Sequence, residues 1–391
     1  MSASDNTPLP APRINGESMS VEGVVAVKNP AESGLPEEPE EPGELGLRAT
    51  STVLKKRGVK LAGFPAVVLV SPALADANNG NWHTAHRWSQ FLSGHCDIRI
   101  VSGWAPGDHP ADFMVALHAR RSALSIAAWA RTHPDKPLAV VLTGTDLYRD
   151  ILDDAAAQHS LAVATHLVVL QSDGLAALPE RWRGKAQVIF QSAAALTPAA
   201  KPSRVFRALM VGHLRDEKDP LTFMAAAAQQ LPAHVRLDQI GDALDPALGA
   251  AARATAASHP HYCWLGGLPR SATRQHIKRA HVLVSCSRME GGAHVILEAV
   301  LSGTPVLASR VGGNVGMLGD DYAGYFPLGD SGALAALLRR CAQEPAFLDG
   351  LQRQCALRAP LFDVQREKQL VINLANSAMS LARPPATERF V

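Results

Sequence analysis

Short apolar runs recur along most of the chain, and they constrain its fold more than any other feature of the sequence. The runs are rich in Val, Ile and Leu, and Ala-rich stretches with helical spacing, such as Ser122–Arg131, lie between most of them. Continuous apolar strands that alternate with helices are typical of a parallel sheet covered by helices on both faces. The strands predicted for the first half of the chain are Ala66–Val70, Ile98–Val101, Phe113–His118, Leu138–Leu142, Leu167–Leu170 and Val188–Phe190.

The stretch Ser192–Ser203, rich in Ala, Pro and Thr, interrupts this alternation and is predicted to be a linker. The alternation then restarts, which predicts a second unit of the same kind. Together the two units predict an α/β fold of two Rossmann-like, doubly wound parallel-sheet domains facing a cleft, with ligands bound beyond the carboxyl ends of the strands. The strands predicted for the second unit are Ala208–Val211, Val235–Ile240, Cys263–Leu265, Val282–Ser285 and Pro305–Ala308.

This pattern divides the chain into four regions. Residues 1–60 are predicted to be a disordered tail, because an acidic, Pro-rich segment such as Gly34–Gly43 buries too little apolar surface to offset its ordering entropy. Residues 61–200 and 201–363 are predicted to be the two Rossmann-like domains. Residues 364–391 hold a late helix, about Val364–Leu381, that is a candidate to cross back to the first domain.

Composition excludes several classes of protein. The formal net charge of +2 predicts no broad basic surface for nucleic acid. The five cysteines form no C-x-x-C pair, which argues against a disulfide framework and a structural zinc site. No apolar run is long enough to span a bilayer, and the N-terminus has no apolar signal core. We therefore expect a soluble, cytoplasmic enzyme without a membrane span.

The motif most informative about chemistry runs from Glu290 to Glu298, directly after the predicted strand Val282–Ser285. Gly291 and Gly292 allow a ligand to approach the backbone closely, and the free N–H groups of the following helix favour phosphate. Two carboxylates beside such a site suit sugar recognition, because each accepts hydrogen bonds from hydroxyl groups. The plainer interpretation is a helix entry with a surface glutamate.

This E-x7-E pattern is followed by Ala299, Gly303, Thr304-Pro305-Val306 and Gly312-Gly313. With them it resembles the retaining-type glycosyltransferases of the GT-B fold, family four, over about residues 66–381. The resemblance implies a nucleotide-sugar donor, with Glu298 on the ribose hydroxyls and Glu290 facing the transferred sugar. Gly316 departs from the family, since many relatives carry a glutamate there.

Arg215 and Lys218 follow the first strand of the second domain, where the family places an Arg and a Lys on the donor diphosphate. Their charges would stabilise the leaving diphosphate. A solvated charged turn is the alternative. The sequence contains no D-x-D tripeptide, so we expect no metal and no cofactor. No G-x-G-x-x-G follows Ala66–Val70, which disfavours a dinucleotide oxidoreductase.

Three segments of the first domain are more distinctive: Asp76–Trp88, Ala116–Arg121 and Leu142–Asp150. As a set they resemble a small subgroup of the family, the selenosugar synthases of selenoneine biosynthesis. This implies that selenophosphate is joined to the sugar of UDP-N-acetylglucosamine or UDP-glucose to give a 1-selenosugar. Selenophosphate is a small anion whose selenium is already nucleophilic, so cations and backbone donors matter more than a strong base.

The candidate site residues fall into three overlapping groups. The catalytic candidates are Glu290, Arg215, Lys218 and His118. The donor-binding candidates are Gly80, Arg215, Lys218, Glu290, Gly291, Gly292, Ala293 and Glu298. The acceptor-binding candidates are Asn79, Asn81, Arg87, His118, Arg120, Thr143 and Asp146. A lone His or Arg at such a position is often structural.

Two other functions remain open at this point. One is a transferase that uses a UDP-sugar on a hydroxyl acceptor in glycan or small-molecule biosynthesis. The other is a nucleotide-sugar-binding regulator without turnover. The oligomeric state, the preferred sugar and the anomeric outcome are also open.

Overall fold

The structure, a computed structural model, describes residues 64–73 and 80–381, and all of these belong to one compact unit. The predicted tail at residues 1–60 and the candidate Asn79 lie outside the described residues. Within the described part, two six-stranded parallel sheets follow one another along the chain. The predicted α/β fold with two parallel-sheet domains is confirmed.

The first sheet has the strand order β2-β1-β3-β4-β5-β6. Its strands are β1 Ala66–Val70, β2 Asp97–Val101, β3 Phe113–Leu117, β4 Leu138–Leu142, β5 His166–Val169 and β6 Ala186–Val188. Its helices are α1 Gly80–Leu92, α2 Ala123–Thr132, α3 Ile151–Asp153, α4 Ala155–Val163, α5 Gly174–Ala177 and α6 Glu180–Arg183. A π-helix, Asp146–Asp150, precedes α3.

Every residue of the central strands β3 and β4 is buried, because helices cover both faces of this sheet. Successive side chains of a strand point to opposite faces. In β1, Leu69 belongs to one apolar cluster with Trp88 of α1, whereas Val68 belongs to the opposite cluster with Trp129 of α2. The continuous apolar runs of the sequence are therefore strands with two buried faces.

The second sheet has the strand order β12-β11-β10-β7-β8-β9. Its strands are β7 Phe206–Val211, β8 Val235–Ile240, β9 Tyr262–Trp264, β10 Val282–Ser285, β11 Val306–Ser309 and β12 Tyr325–Phe326. The chain leaves β7 towards one edge of the sheet and continues from β10 towards the other. The strand order thus reverses between β7 and β10, and ligands of doubly wound sheets bind at such a switch point.

The remaining helices cover the second sheet and close the chain. They are α7 Pro220–Ala227, α8 Pro246–Ser258, α9 Arg270–Arg279, α10 His294–Leu301, α11 Gly312–Leu318, α12 Ser331–Gln343, α13 Pro345–Arg358 and α14 Val364–Leu381. Short 3-10 helices lie at Asp216–Lys218 and Ala359–Phe362. Asp245 and Asp330 cap α8 and α12 by accepting backbone N–H groups at 2.8 Å, which satisfies donors that helices leave unpaired.

The last helix, α14, packs against α1 and against the first sheet rather than the second. Its Glu367 is 1% exposed and accepts hydrogen bonds from Arg87 and Trp88 of α1 and from Ser192 at the start of the linker. The described part of the chain therefore both begins and ends on the first domain. No helix among residues 64–73 and 80–381 is long and apolar enough to cross a membrane.

Eleven of the twelve strands in the described residues correspond to predicted strands, although several boundaries differ by one or two residues. The strand β12 was not predicted, because two residues are too short to show as an apolar run. β3 ends at Leu117, because His118 takes a left-handed backbone conformation with φ of 72° and cannot extend the strand. β6 ends at Val188, two residues before the predicted end. Phe190 leaves the sheet and packs edge-on against Phe362, with the ring centroids 5.9 Å apart.

Candidate functional site

The two strongest sequence motifs meet at the switch point of the second sheet. Arg215 and Lys218 follow β7, and Glu290 follows β10, its neighbour in the sheet. The Lys218 Nζ lies 2.5 Å from Oε1 of Glu290, and the Ser287 hydroxyl donates to the same oxygen at 2.6 Å. Glu290 is 8% exposed, so the pair orients a carboxylate in a largely desolvated position.

Arg215 lies at the mouth of this site with a half-exposed side chain. Its Nε is 3.9 Å from one oxygen of Glu217, and Nη1 of Arg149, from the first domain, is 3.7 Å from the other oxygen. Glu217 therefore sits between guanidinium groups from both domains. Two guanidinium groups beside a single carboxylate leave a net positive charge, which suits a phosphate-bearing ligand.

Glu298 lies on α10 of the second domain and is 5% exposed. Arg270 donates to its Oε1 at 3.2 Å, and His294 Nδ1 and Arg274 Nε lie 3.4 and 3.7 Å from that oxygen. Burial opposes ionisation of this carboxyl, but the hydrogen bond and charge of His294, together with Arg270, hold its pKa below the ordinary value. Glu298 is therefore a carboxylate that can accept hydrogen bonds from hydroxyl groups.

Packing between the two domains requires glycine at positions 291 and 292, a role that the sequence did not suggest. A Cβ at Gly291 would overlap the backbone of Thr143, and one at Gly292 would lie 2.9 Å from the Cβ of Leu170. Both contacts are with the first domain, so these glycines let the two domains approach backbone to backbone. The amide of Ala293, another predicted donor-binding group, donates to the sulfur of Met317 at 3.1 Å.

In the first domain, Asp146 organises the loop after β4 rather than presenting a free carboxylate. It is fully buried and accepts the backbone N–H groups of Thr143, Gly144 and Ala119 at 2.8, 2.9 and 3.0 Å. These bonds tie the loop after β3 to the loop after β4. Among the acceptor candidates, the geometry thus favours a positioning role for Asp146 and leaves Thr143 beside it, half-buried.

His118 is the residue with the most constrained geometry in this domain. It has positive φ and is 2% exposed. Its Nδ1 accepts the N–H of Arg121 at 3.3 Å, so the proton is on Nε2, which lies 3.0 Å from the hydroxyl of Thr145. Burial lowers the pKa of His118 even though Asp146 and Asp150 lie nearby. It is therefore a neutral imidazole beneath the cleft surface, and strained residues of this kind cluster at functional sites.

Arg120 and Arg149 converge on Asp150, which is 6% exposed. Their Nε atoms donate to its two oxygens at 2.8 and 3.1 Å, while both guanidinium groups remain about half exposed. Burial opposes ionisation of Asp150, but these two hydrogen bonds keep its pKa below the ordinary value. Two guanidinium groups held by one carboxylate carry a surplus positive charge for binding an anion.

Three of the predicted donor- and acceptor-binding residues lie on α1 of the first domain. Gly80 is the first residue of this helix, and Asn81 lies in its first turn. Beyond the first residues of the helix, no atom of residues 64–73 or 80–381 lies within 4 Å of the point where a Cβ of residue 80 would stand. Arg87 donates to Glu367 at 2.7 and 2.9 Å. Its guanidinium therefore holds α14 in place, and the geometry favours a structural role over acceptor binding.

Most of the side chains that hold the candidates in position could not be predicted from the sequence. Ser287, Arg270, His294, Asp150 and Glu367 were not singled out. His294 could have been found, since it stands four residues before Glu298 on the same helix face. The others contact their partners only through the tertiary fold. Among residues 64–73 and 80–381, no group of three or more His, Cys, Asp or Glu could hold a metal ion.

The second domain is similar to a known protein family. Residues 205–344, which hold most of the second domain, match the family model described as glycosyl transferases group 1. A curated relative, D-inositol 3-phosphate glycosyltransferase of Streptomyces avermitilis, is 34% identical over 107 residues. This match covers 27% of the chain and 23% of the relative, so the chain spans about a quarter of the length of that protein.

Solved structures resemble the whole described fold. Sucrose-phosphate synthase of Thermosynechococcus elongatus has a TM-score of 0.67 and 16% identity, covering 81% of this chain and 99% of that one. HepE of Anabaena, solved in complex with UDP and glucose, has a TM-score of 0.64 and 16% identity, covering 80% and 100%. At these identities the likeness establishes the fold, which is the two-domain α/β fold of GT-B glycosyltransferases.

Proposed function

We propose that this chain is a glycosyltransferase that takes its sugar from a UDP-sugar. The observation that carries the proposal is the arrangement at the switch point, where Lys218 and Glu290 form an ion pair and Arg215 stands at the mouth. In this proposal Arg215 and Lys218 bind the diphosphate, and Glu290 faces the sugar. Glu298 binds the ribose hydroxyls through a carboxylate that its cationic neighbours keep ionised. The family match over residues 205–344 supports a glycosyltransferase.

We further propose selenophosphate as the acceptor, with UDP-N-acetylglucosamine or UDP-glucose as the donor. The resemblance of the first-domain segments to the selenosugar synthases supports this, as does the half-exposed pair Arg120 and Arg149. Selenium attacks the anomeric carbon, the bond from that carbon to the diphosphate oxygen breaks, and UDP leaves with the electron pair. Water then cleaves the selenium–phosphorus bond, which releases phosphate and the 1-selenosugar.

The acceptor is tested by mass spectrometry of the products formed from a UDP-sugar with selenophosphate. We expect a selenosugar, UDP and phosphate. Arg120→Ala is expected to lower turnover at limiting selenophosphate at least about tenfold, because it removes a charge-assisted contact, and to leave UDP affinity within a few-fold. Arg131→Ala, at the exposed end of α2, is the matched control and should change neither.

The competing outcomes are distinct in the same assay. UDP release with a hydroxyl acceptor but none with selenophosphate would favour the generic transferase. UDP-sugar binding without release of UDP to any acceptor would favour the non-catalytic regulator. A protein that binds neither UDP nor a UDP-sugar would contradict the proposal as a whole.

A further inference from the structure

Tyr148 of the first domain reaches across to the second domain, beside the donor motif. It lies on the π-helix Asp146–Asp150, a rare conformation that is frequent at functional sites. A Cβ at Gly312 would lie 3.3 Å from its hydroxyl oxygen. Gly313, the next residue, packs so closely on Glu290 that a Cβ there would overlap the Glu290 carbonyl. The Tyr148 hydroxyl therefore stands at the edge of the site that holds Glu290.

The direction of this hydroxyl is fixed by Gln171, which is fully buried. The side-chain oxygen of Gln171 accepts the backbone N–H of Gly174 at 3.0 Å, so its Nε2 must be the group that faces Tyr148. Nε2 donates to the Tyr148 hydroxyl oxygen at 2.6 Å. Since that bond uses a lone pair of the oxygen, the hydroxyl proton points elsewhere. Among the described residues the hydroxyl makes no other hydrogen bond. Its proton is therefore available for donation to a ligand.

Gly316 is what allows Gln171 to occupy this position. A Cβ at Gly316 would overlap the side-chain oxygen of Gln171, and the Ser172 hydroxyl donates to the Gly316 carbonyl at 3.1 Å. The first domain thus fills the space beside residue 316 with an amide side chain. The absence of a side chain at Gly316 and the presence of Gln171 are two parts of one contact between the domains.

The charges around the hydroxyl decide what kind of group it can meet. A Cβ at Gly312 would overlap a carboxylate oxygen of Asp173, so Asp173 lies beside the same point as Tyr148. Burial raises the pKa of Tyr148, and the negative charges of Asp173 and Glu290 raise it further. Among the described residues Asp173 makes no ion pair, so its carboxylate repels a phosphate or another anion, whereas Lys218 compensates the charge of Glu290. We therefore expect the group bound beside Tyr148 to be neutral. It must accept a hydrogen bond from Tyr148 and can donate to a carboxylate, which describes the hydroxyl groups of a sugar.

We propose that Tyr148 donates its hydroxyl proton to an oxygen of the transferred sugar and is a specificity-determining residue that the first domain contributes to the donor site. Gln171 is its positioning residue. The proposal rests on the function proposed above, since it takes Glu290 to face the sugar. It adds to the donor site a subsite for a neutral group, formed by Tyr148, Asp173 and Gly312. The diphosphate is bound separately, by the cationic side chains of Arg215 and Lys218.

The test is calorimetry with UDP, UDP-glucose and UDP-N-acetylglucosamine on the full chain and on Tyr148→Phe. Removing one neutral hydrogen bond is expected to weaken the binding of at least one UDP-sugar roughly threefold to tenfold, and to leave UDP affinity within about twofold. Tyr262→Phe is the matched control. Its hydroxyl also bonds a buried glutamine, Gln239, but it lies on the edge strand β9, and we expect no change with any ligand.

Two further variants keep a structural role apart from sugar contact. Gly316→Ala should displace Gln171 and reproduce the selective loss of UDP-sugar affinity. Gln171→Glu places an acceptor against the hydroxyl, captures its proton and should do the same. Equal losses of UDP and UDP-sugar affinity in Tyr148→Phe would show a structural role, and unchanged affinity for both sugars would refute the contact. If the unaltered chain binds no UDP, the proposed function is itself wrong. If it binds UDP and both UDP-sugars but Tyr148→Phe changes no affinity, only the contact of Tyr148 with the sugar is wrong.

Discussion

Glu367 holds the last helix on the first domain, and its replacement tests how much that attachment stabilises the protein. The carboxylate is 1% exposed and accepts five hydrogen bonds: two from Arg87, one from Trp88 Nε1, and two from the amide and hydroxyl of Ser192. The variant Glu367→Gln keeps the shape of the side chain but removes its charge and turns one acceptor into a donor.

The expected loss follows from burial. Breaking a buried ion pair by removing one partner costs about 3–5 kcal/mol, because the other charge is left uncompensated. The Arg87 side chain is 15% exposed and can be partly rehydrated, so we expect the lower end, about 3 kcal/mol. Urea unfolding followed by tryptophan fluorescence measures it, since five of the six tryptophans precede the linker and report on the first domain.

The control for this experiment is Glu344→Gln. Glu344 pairs with Arg340 at 3.3 Å on an exposed surface, so its loss should change the free energy of unfolding by no more than about 1 kcal/mol. A double-mutant cycle of Glu367→Gln with Arg87→Met should give a coupling energy above about 1 kcal/mol. If Glu367→Gln lowers the free energy of unfolding by no more than the control does, the carboxylate does not hold the helix. Arg87 would then again be a candidate for binding the acceptor.

Three further outcomes are expected. Glu298→Ala should weaken UDP binding by calorimetry about tenfold to a hundredfold, because hydrogen bonds to a charged group are lost, and an unchanged affinity would remove Glu298 from the ribose site. The lowered pKa of His118 keeps it neutral in the folded protein, so it contributes stability above pH about 6.5 that is lost as the pH falls, because the unfolded chain then binds the proton more readily. His118→Gln should therefore lose less stability than the unaltered chain between about pH 7 and pH 5, and equal losses would show that His118 does not contribute. Turnover should survive chelation by EDTA, since the sequence lacks a D-x-D and Arg215 and Lys218 are proposed to hold the diphosphate; inactivation reversed by Mg²⁺ would contradict that assignment.

The two alternating sheet domains and the residues at the switch point could be predicted from the sequence alone. Both signals are local. A strand buried on both faces shows as a continuous apolar run, and a motif directly after such a run must lie at the carboxyl edge of the sheet. This is why Lys218 and Glu290, which are 72 residues apart, could be expected to meet. The strand ends were less certain, since a single backbone angle at His118 ends β3.

The side chains that hold the site together are defined by contacts between distant parts of the folded chain. Gln171 and Gly316 meet across the two domains, and Arg87 pairs with Glu367 although 280 residues separate them. Such pairs leave no periodic pattern, because their partners come together only after both domains have folded and packed. For the same reason the sequence suggested ligand approach as the purpose of Gly291. In the folded protein that glycine brings the backbone of one domain against the backbone of the other.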